Sequence, residues 1–528
     1  MEHDEKQSKI IRSTASVALP MLVSRVLGYV RDMLQAYFLG TGTSADAFTL
    51  AYTLPNLLRR LTAEGAMTAA FIPVFTDMRV REGREEMWAF ARSFFGVLAL
   101  VMAAVSILGI FLSPILVKTV AAGFGDVEGK WALTIGLTRL MFPFILIISL
   151  AALATGILNS LQRFAVPAFA PVLFNISVIA GAVMFASRAE EPAWIFAAAI
   201  LAGGILQLLF QWPALHREGL RLPFRPSIRH PGVIRVAVLM VPGVFSFGAY
   251  QVKFAVSRFM ASHLEEGSVS ALYYASRVEE LTFGLFSIAL AVVLLPSLSG
   301  QAAARDSQGI RKTLEFSLRL IVLGTLPAMT GLLLLSRPIM QVLFERGEFT
   351  ARSTALSAEC LFFLALGLPF ISVTKILVTT FYSLQDTRTP AAVAFVLILI
   401  YIAAALPLGT VLGVGGLALA LSLTQMIHAG VLGFLLRKRL GRYADTGFWA
   451  VVLRSFAACA VMAGAVIGVS HAVSREAAAG MAGIVALAAT ILTGIIVYGA
   501  AVFVLNRREF DSLRNALFRS RPGARKEP

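Results

Sequence analysis

The feature that most narrows what this chain can fold into is the spacing of its apolar blocks. They run about 20 residues each, the length that crosses a hydrocarbon layer of roughly 30 Å, and short polar turns separate them. With no water in the bilayer core, each block must satisfy its backbone internally, so each is a helix. The period-two alternation of a transmembrane barrel is absent. Composition agrees: of 528 residues, 58% are hydrophobic and 14% charged, with mean hydropathy +0.79. A soluble fold carries roughly a quarter charged residues. The sequence therefore predicts an all-α polytopic membrane protein.

The blocks predict fourteen spans, at 12–39, 46–72, 88–117, 131–159, 166–187, 193–215, 233–261, 269–299, 312–335, 353–383, 390–409, 415–436, 448–470 and 478–505. An even number puts both termini on one side, and the turns say which. Turns at 40–46, 262–268 and 409–416 are poor in Lys and Arg; those holding Arg79, Arg81 and Arg84, Arg217 to Arg235, and Arg437 to Arg442 are rich. About 27 basic residues fall on the side of the termini and about 7 on the other, which makes the termini cytoplasmic. The net charge of +16 is topology information of this kind and does not point to nucleic acid. The polar segment before the first span does not read as a removable leader, and the first span is expected to serve as its own insertion signal. Cys360 and Cys459 lie inside apolar blocks and read as packed thiols.

The chain repeats itself. Pro143-Phe144-Ile145 recurs as Pro369-Phe370-Ile371. Ser160-Leu161-Gln162 with Pro167-Ala168 recurs as Ser383-Leu384-Gln385 with Pro390-Ala391, at an offset of about 223–226 residues. Six spans separate the copies, so both have the same orientation, and a pseudo-twofold along the membrane normal relates them. The expected organisation is an N-terminal lobe at 10–217, a C-terminal lobe at 230–440, an extra helix pair at 448–505 and a basic cytoplasmic tail at 506–528, with the binding site between the lobes.

Ionisable side chains at bilayer depth are costly unless they face water or a partner, so each marks a candidate site. The first span carries Ser24, Arg25, Arg31 and Asp32; Arg25 and Asp32 are two turns apart and share a face. The second carries Asp46, Asn56, Arg59, Arg60 and Glu64, with Asn56, Arg60 and Glu64 in one stripe. The eighth carries Arg277, Glu279 and Glu280, the seventh Lys253, Ser257 and Arg258, and the tenth Lys375. One reading is structural: Arg59 and Arg60 snorkel to the interface, and Arg25 with Asp32 is a self-neutralising pair. The other is a wet cavity whose arginine excess suits a phosphate-bearing ligand, because guanidinium forks match phosphate oxygens in pairs. Pro20 and Pro242, each followed by glycines, are candidate bend points. No phosphate loop for ATP, no metal-ligand spacing and no nucleophile–base pattern occurs, so the sequence predicts neither enzyme nor bound cofactor.

These residues resemble the lipid II flippase family, MurJ (also called MviN), of the superfamily that includes multidrug and polysaccharide exporters. The resemblance covers nearly the whole chain. SRVLGYVRD at 24–32 and LPNLLRRLTAEGAMTAAFIPVF at 54–75 carry it most specifically, with SVSALYYASR at 268–277, LFERGEFTA at 343–351 and FYSLQDTRTP at 381–390. It implies alternating access for an undecaprenyl-diphosphate-linked peptidoglycan precursor in the bacterial inner membrane, with membrane lipids and cell-wall synthases as further partners. It also implies that Arg25, Arg31, Asp46, Arg59, Arg60, Glu64 and Arg277 belong to the cavity, and that the last two spans form a groove for the polyprenyl tail. Similar proteins often have Asp where this chain has Ser257, which bears on sodium coupling, since hard cations prefer anionic oxygens. Lys375, Asp386 and Ser257 are therefore candidate coupling positions, and membrane potential, sodium and protons remain open as energy sources. Two other functions compete: a flippase for a different polyprenyl-diphosphate saccharide, and a non-transporting scaffold for cell-wall synthesis.

Overall fold

The structure is a computed structural model describing residues 2–59, 67–220, 226–284, 287, 289–473 and 480–506. Arg60, Glu64 and the tail from 507 onward lie outside the described residues.

The chain is a multi-pass, all-helical membrane protein. Its elements are α1 (Glu2–Leu39), α2 (Thr43–Arg59), α3 (Met67–Arg81), α4 (Arg84–Val120), α5 (Lys130–Met141), α6 (Pro143–Ser160), α7 (Ala165–Phe185), α8 (Pro192–Glu218), α9 (Pro231–Ser262), α10 (Ser268–Phe283), α11 (Ala289–Ala303), α12 (Ser307–Phe344), α13 (Ala351–Ser383), α14 (Arg388–Leu440), α15 (Thr446–Val473) and α16 (Met481–Leu505). Among the described residues, nine helical stretches are long and apolar enough to cross a membrane.

The expected spans map onto these elements with four local changes. The second falls on α2 and α3, with residues 60–66 between them outside the described residues. The fourth span divides at Phe142, where Pro143 begins α6 without an N–H to donate. The eighth is α10 and α11 in series. The eleventh and twelfth are the two arms of α14, which leaves helical geometry at Gly413 (φ 55°, ψ −137°). That left-handed φ favours glycine. A Cβ on nearby Gly416 would collide with the Leu408 carbonyl, so the arms approach too closely there for any side chain.

Contacts gather the described chain into two compact units, Met1–Tyr273 with Phe344–Ser353, and Tyr274–Leu343 with Thr354–Pro528. In the first, α7 packs on α1 and α8, α2 on α5, and α3 and α4 on α9. Phe71, Phe75, Phe90 and Phe94 from α3 and α4 stack at its centre with ring centroids 5.0–6.0 Å apart. In the second, Leu298, Leu314, Phe381 and Leu436 join α11, α12, α13 and α14, and α15 and α16 lie against α12 through Leu323, Val451 and Val502. Cys360 and Cys459 are buried free thiols.

The repeated Ser-Leu-Gln takes the same shape twice. Gln162 and Gln385 both adopt φ 61°, an uncommon backbone for a residue other than glycine. The amide after each closes the helix end: Arg163 N–H donates to Leu158 O (2.8 Å) and Asp386 N–H to Phe381 O (2.9 Å), a Schellman-type cap. Each cap is then tied to a helix end further along the chain, with charges reversed. Arg163 pairs with Glu218 at 2.6 Å, and Asp386 with Arg439 at 2.6 Å.

Candidate functional site

Two polar regions of the first unit lie at opposite ends of α2. At its N-terminal end, Asp46 is 1% exposed and every lone-pair direction of its carboxylate is used. Oδ2 accepts from Lys130 Nζ (2.9 Å) and from Gly267 N–H (2.9 Å). Oδ1 accepts from Ser270 N–H (2.8 Å) and Ser270 Oγ–H (2.7 Å). The carboxylate thus caps the positive end of α10, where unpaired N–H groups and the helix dipole favour an anion. Lys130 is itself 2% exposed, with Nζ 4.3 Å from the Phe124 ring centroid.

Around this pair the turns of one side interlock. Thr41 Oγ1 donates to Ser353 Oγ (2.7 Å) and Glu348 N–H to Tyr37 O (2.9 Å). Arg352 pairs with Glu265 at 3.0 Å, and Thr43 Oγ1 donates to Glu266. That hydroxyl, aided by Lys130 and opposed by partial burial, holds the Glu266 carboxyl below its usual range. The turns at 40–46 and 262–268 are two of those poor in Lys and Arg, and here they help form a closed end.

At the other end of α2, about 20 Å away at 1.5 Å per residue, a cavity of about 520 Å³ opens among α1, α2, α3, α6, α7 and α8. Arg25 and Arg59 line it together with Ser24, Asn159 and Gln207. Arg59 Nε donates to Asn56 Oδ1 (2.7 Å). Arg25 is exposed and makes no hydrogen bond or ion pair among the described residues. The self-neutralising pair of Arg25 with Asp32 does not form. Asp32, fully buried, instead takes Arg31 at 2.8 Å. Arg31 also donates to Asn175 Oδ1 (3.3 Å) and lies 5.8 Å from the Phe174 ring centroid. Asn175 Nδ2 in turn donates to Ser24 O (3.0 Å). Arg31 is therefore engaged in joining α1 to α7, whereas Arg25 presents its charge to the cavity.

The remaining expected residues lie elsewhere. Arg277 belongs to the second unit and pairs with Glu280 at 2.7 Å. Ser257 is buried on α9, and Arg258 donates to Val269 O (2.7 Å). Lys375 is exposed on α13. Asp386 caps α14 by accepting from Thr389 N–H and Oγ1–H, at 3.0 and 2.8 Å. Those bonds, with Arg439, hold its carboxyl low against partial burial. In the second unit an apolar groove of about 450 Å³ runs among α10, α12, α15 and α16, walled by Leu323, Pro327, Leu335, Met462, Ile495 and Tyr498. Gly331 and Gly494 leave room in its wall.

Sequence reading missed Lys130. It also missed Ser270, Asn159 and Gln207. Gln207 did carry a signal: a carboxamide about 22 Å from one end of α8 and 16 Å from the other is expensive in apolar surroundings.

An all-helical chain with a polar cavity open at one end, a closed opposite end and a separate apolar groove has the makings of a membrane transporter. Its fold is shared by an inward-facing multidrug transporter of the MATE family, at TM-score 0.68 and 15% identity over 82% of this chain and 99% of that one. The family model described as "Lipid II flippase MurJ" matches residues 35–488. The "Lipid II flippase MurJ" of Burkholderia cenocepacia is 35% identical over 446 residues, 83% of this chain and 86% of that relative. A "probable lipid II flippase MurJ" of Rhizobium tropici is 32% identical over 97% of both chains. A solved structure of a "Lipid II flippase MurJ, inward closed conformation" superposes with TM-score 0.77 at 25% identity, covering 94% of this chain and 99% of that one. The chain belongs to the lipid II flippase MurJ family.

Proposed function

We propose that this protein moves a polyprenyl-diphosphate-linked peptidoglycan precursor from the inner to the outer leaflet of the bacterial cytoplasmic membrane by alternating access. One observation carries the reading beyond family membership: Arg25, exposed and without a partner among the described residues, lines with Arg59 a cavity at the end of α2 opposite the closed Asp46 cluster. Guanidinium groups grip phosphate oxygens through paired, charge-assisted hydrogen bonds. The open end is the one whose turns are rich in Lys and Arg, which the positive-inside bias assigns to the cytoplasm together with both termini. The head group enters there, while the apolar groove beside α15 and α16 takes the lipid tail.

Outward release then requires that the Asp46 cluster part, freeing α10's first turn from the carboxylate. The lobes at 10–217 and 230–440 are the bodies that rock. Arg31 and Arg277, each held by a carboxylate, exchange that partner for phosphate as the cycle proceeds. The protein translocates its substrate without altering it, no cofactor takes part, and an ion gradient or the membrane potential drives the cycle. Cell-wall synthases that consume the precursor outside are its expected protein partners.

The test is a depletion strain in which a labelled precursor is assigned to a leaflet. Loss of this protein should trap label in the inner leaflet, and the Arg25→Ala form should not relieve the block although it inserts normally. Normal outward label with Arg25→Ala, Arg31→Ala and Arg277→Ala each as the sole copy would end the phosphate-site reading.

A further inference from the structure

α8 carries the same side chain twice, one turn apart, in opposite circumstances. Gln211 is fully buried and satisfied: its Oε1 accepts from Thr155 Oγ1–H (2.9 Å), and its Nε2 donates to Ala151 O (3.3 Å) and Gln207 O (3.1 Å). It bolts α8 to α6. The Gln207 side chain makes no hydrogen bond among the described residues and lines the cavity. Asn159, near the end of α6, is in the same condition on the same cavity. Two carboxamides thus face the space that Arg25 and Arg59 face, on a wall that Gln211 and Thr155 hold still.

An unpaired amide out of reach of water costs about 1–3 kcal/mol unless a ligand meets it, and both side chains are half-buried at the cavity wall. A carboxamide offers both donors and an acceptor, which complements sugar hydroxyls and acylamino groups and adds no charge. The cavity volume is within the roughly 300–1,000 Å³ of small-molecule sites, where a few placed polar groups set orientation.

We propose that Asn159 and Gln207 form a carbohydrate subsite: they bind the sugar adjoining the diphosphate, while Arg25 and Arg59 bind the diphosphate itself. The proposal rests on the flippase reading and adds to it a means of telling a sugar-bearing diphosphate from a bare one. On it, the arginines supply grip common to every polyprenyl diphosphate, and the amides supply selectivity.

The experiment uses the purified full chain in nanodiscs and two probes, a short polyprenyl diphosphate and the same lipid carrying one N-acetylated hexosamine. Asn159→Ala with Gln207→Ala should weaken the sugar-bearing probe about five- to tenfold, the loss of one to two hydrogen bonds, and leave the bare diphosphate unchanged. Arg25→Ala with Arg59→Ala should weaken both probes. Equal loss of both probes in the amide variant, or no loss of the sugar-bearing one, overturns the subsite. Undiminished binding of both probes in the arginine variant sinks the diphosphate reading instead. If the double amide variant does not fold, Gln207→Asn, which keeps the amide but withdraws it by one methylene, supplies the same contrast.

Discussion

The two ends of α2 make opposite use of polar groups. At one, Asp46 and Lys130 are buried, and every acceptor position of the Asp46 carboxylate is matched within the protein. At the other, Arg25, Asn159 and Gln207 line a cavity, and their side chains bond to nothing among the described residues. The amino acids are no more polar at one end than the other; what differs is whether a partner is built in. A saturated cluster in dry surroundings holds a shape, and an unsaturated one beside a cavity waits for a ligand. Direct measurements can break this contrast.

The largest effect is expected at the saturated end. Lys130→Met leaves the Asp46 carboxylate buried without its counter-charge, and removing one partner of such a pair typically costs about 3–5 kcal/mol. Thermal unfolding of the purified protein should show it, and adding Asp46→Asn should recover much of the loss. A Lys130→Met protein as stable as wild type would mean that α10's first turn alone sustains the charge. At the unsaturated end, Arg25→Ala should cost no stability but weaken a polyprenyl diphosphate by about ten- to a hundredfold, since hydrogen bonds to charged groups are worth about 1.5–3 kcal/mol. Titration alongside a melting curve separates the two.

Gly267→Ala should loosen the closed end by about 1–3 kcal/mol. The glycine sits at φ 93°, and a Cβ there meets the Thr41 carbonyl. An increase in labelling of Ser44→Cys by a membrane-impermeant thiol reagent would report it. Smaller still is the exposed Arg163–Glu218 tie: Arg163→Glu should cost roughly 0–1 kcal/mol, and Arg163→Glu with Glu218→Arg should restore it. The smallest is a pH effect. Because Glu266 is held below its unfolded value, its contribution is complete above the ordinary carboxylate range and fades as pH falls through the depressed folded value. The closed end should therefore label faster in acid, and a Glu266→Gln protein should lose that dependence.

Much of this was legible in the sequence, for reasons particular residues make plain. Helix spans follow from apolar length, and the turns at Gln162 and Gln385 from a local repeat. The apolar spans at 12–39 and 46–72 placed Arg25, Arg31 and Arg59 on helices, α1 and α2 here. Helical spacing misled at Asp32. Side chains seven apart share a face while adjacent ones diverge, yet the long Arg31 side chain curls to its neighbour and leaves Arg25 with no partner among the described residues. Gln207 and Gln211 are indistinguishable in sequence, and only what stands opposite each separates a bolt from a candidate ligand contact.

By itself, then, the sequence determined that the chain crosses a membrane as helices, in what order, and which spans carry charge. Backbone hydrogen bonding and apolar length are local properties, and lipid leaves a backbone no alternative. Only the tertiary structure decided that Asp46 meets Lys130 and the first turn of α10, that Arg31 is taken and Arg25 is not, and that two amides face the same cavity. The first depends on groups far apart in the chain arriving within about 3 Å of one another, the others on what stands opposite each side chain, and packing fixes both.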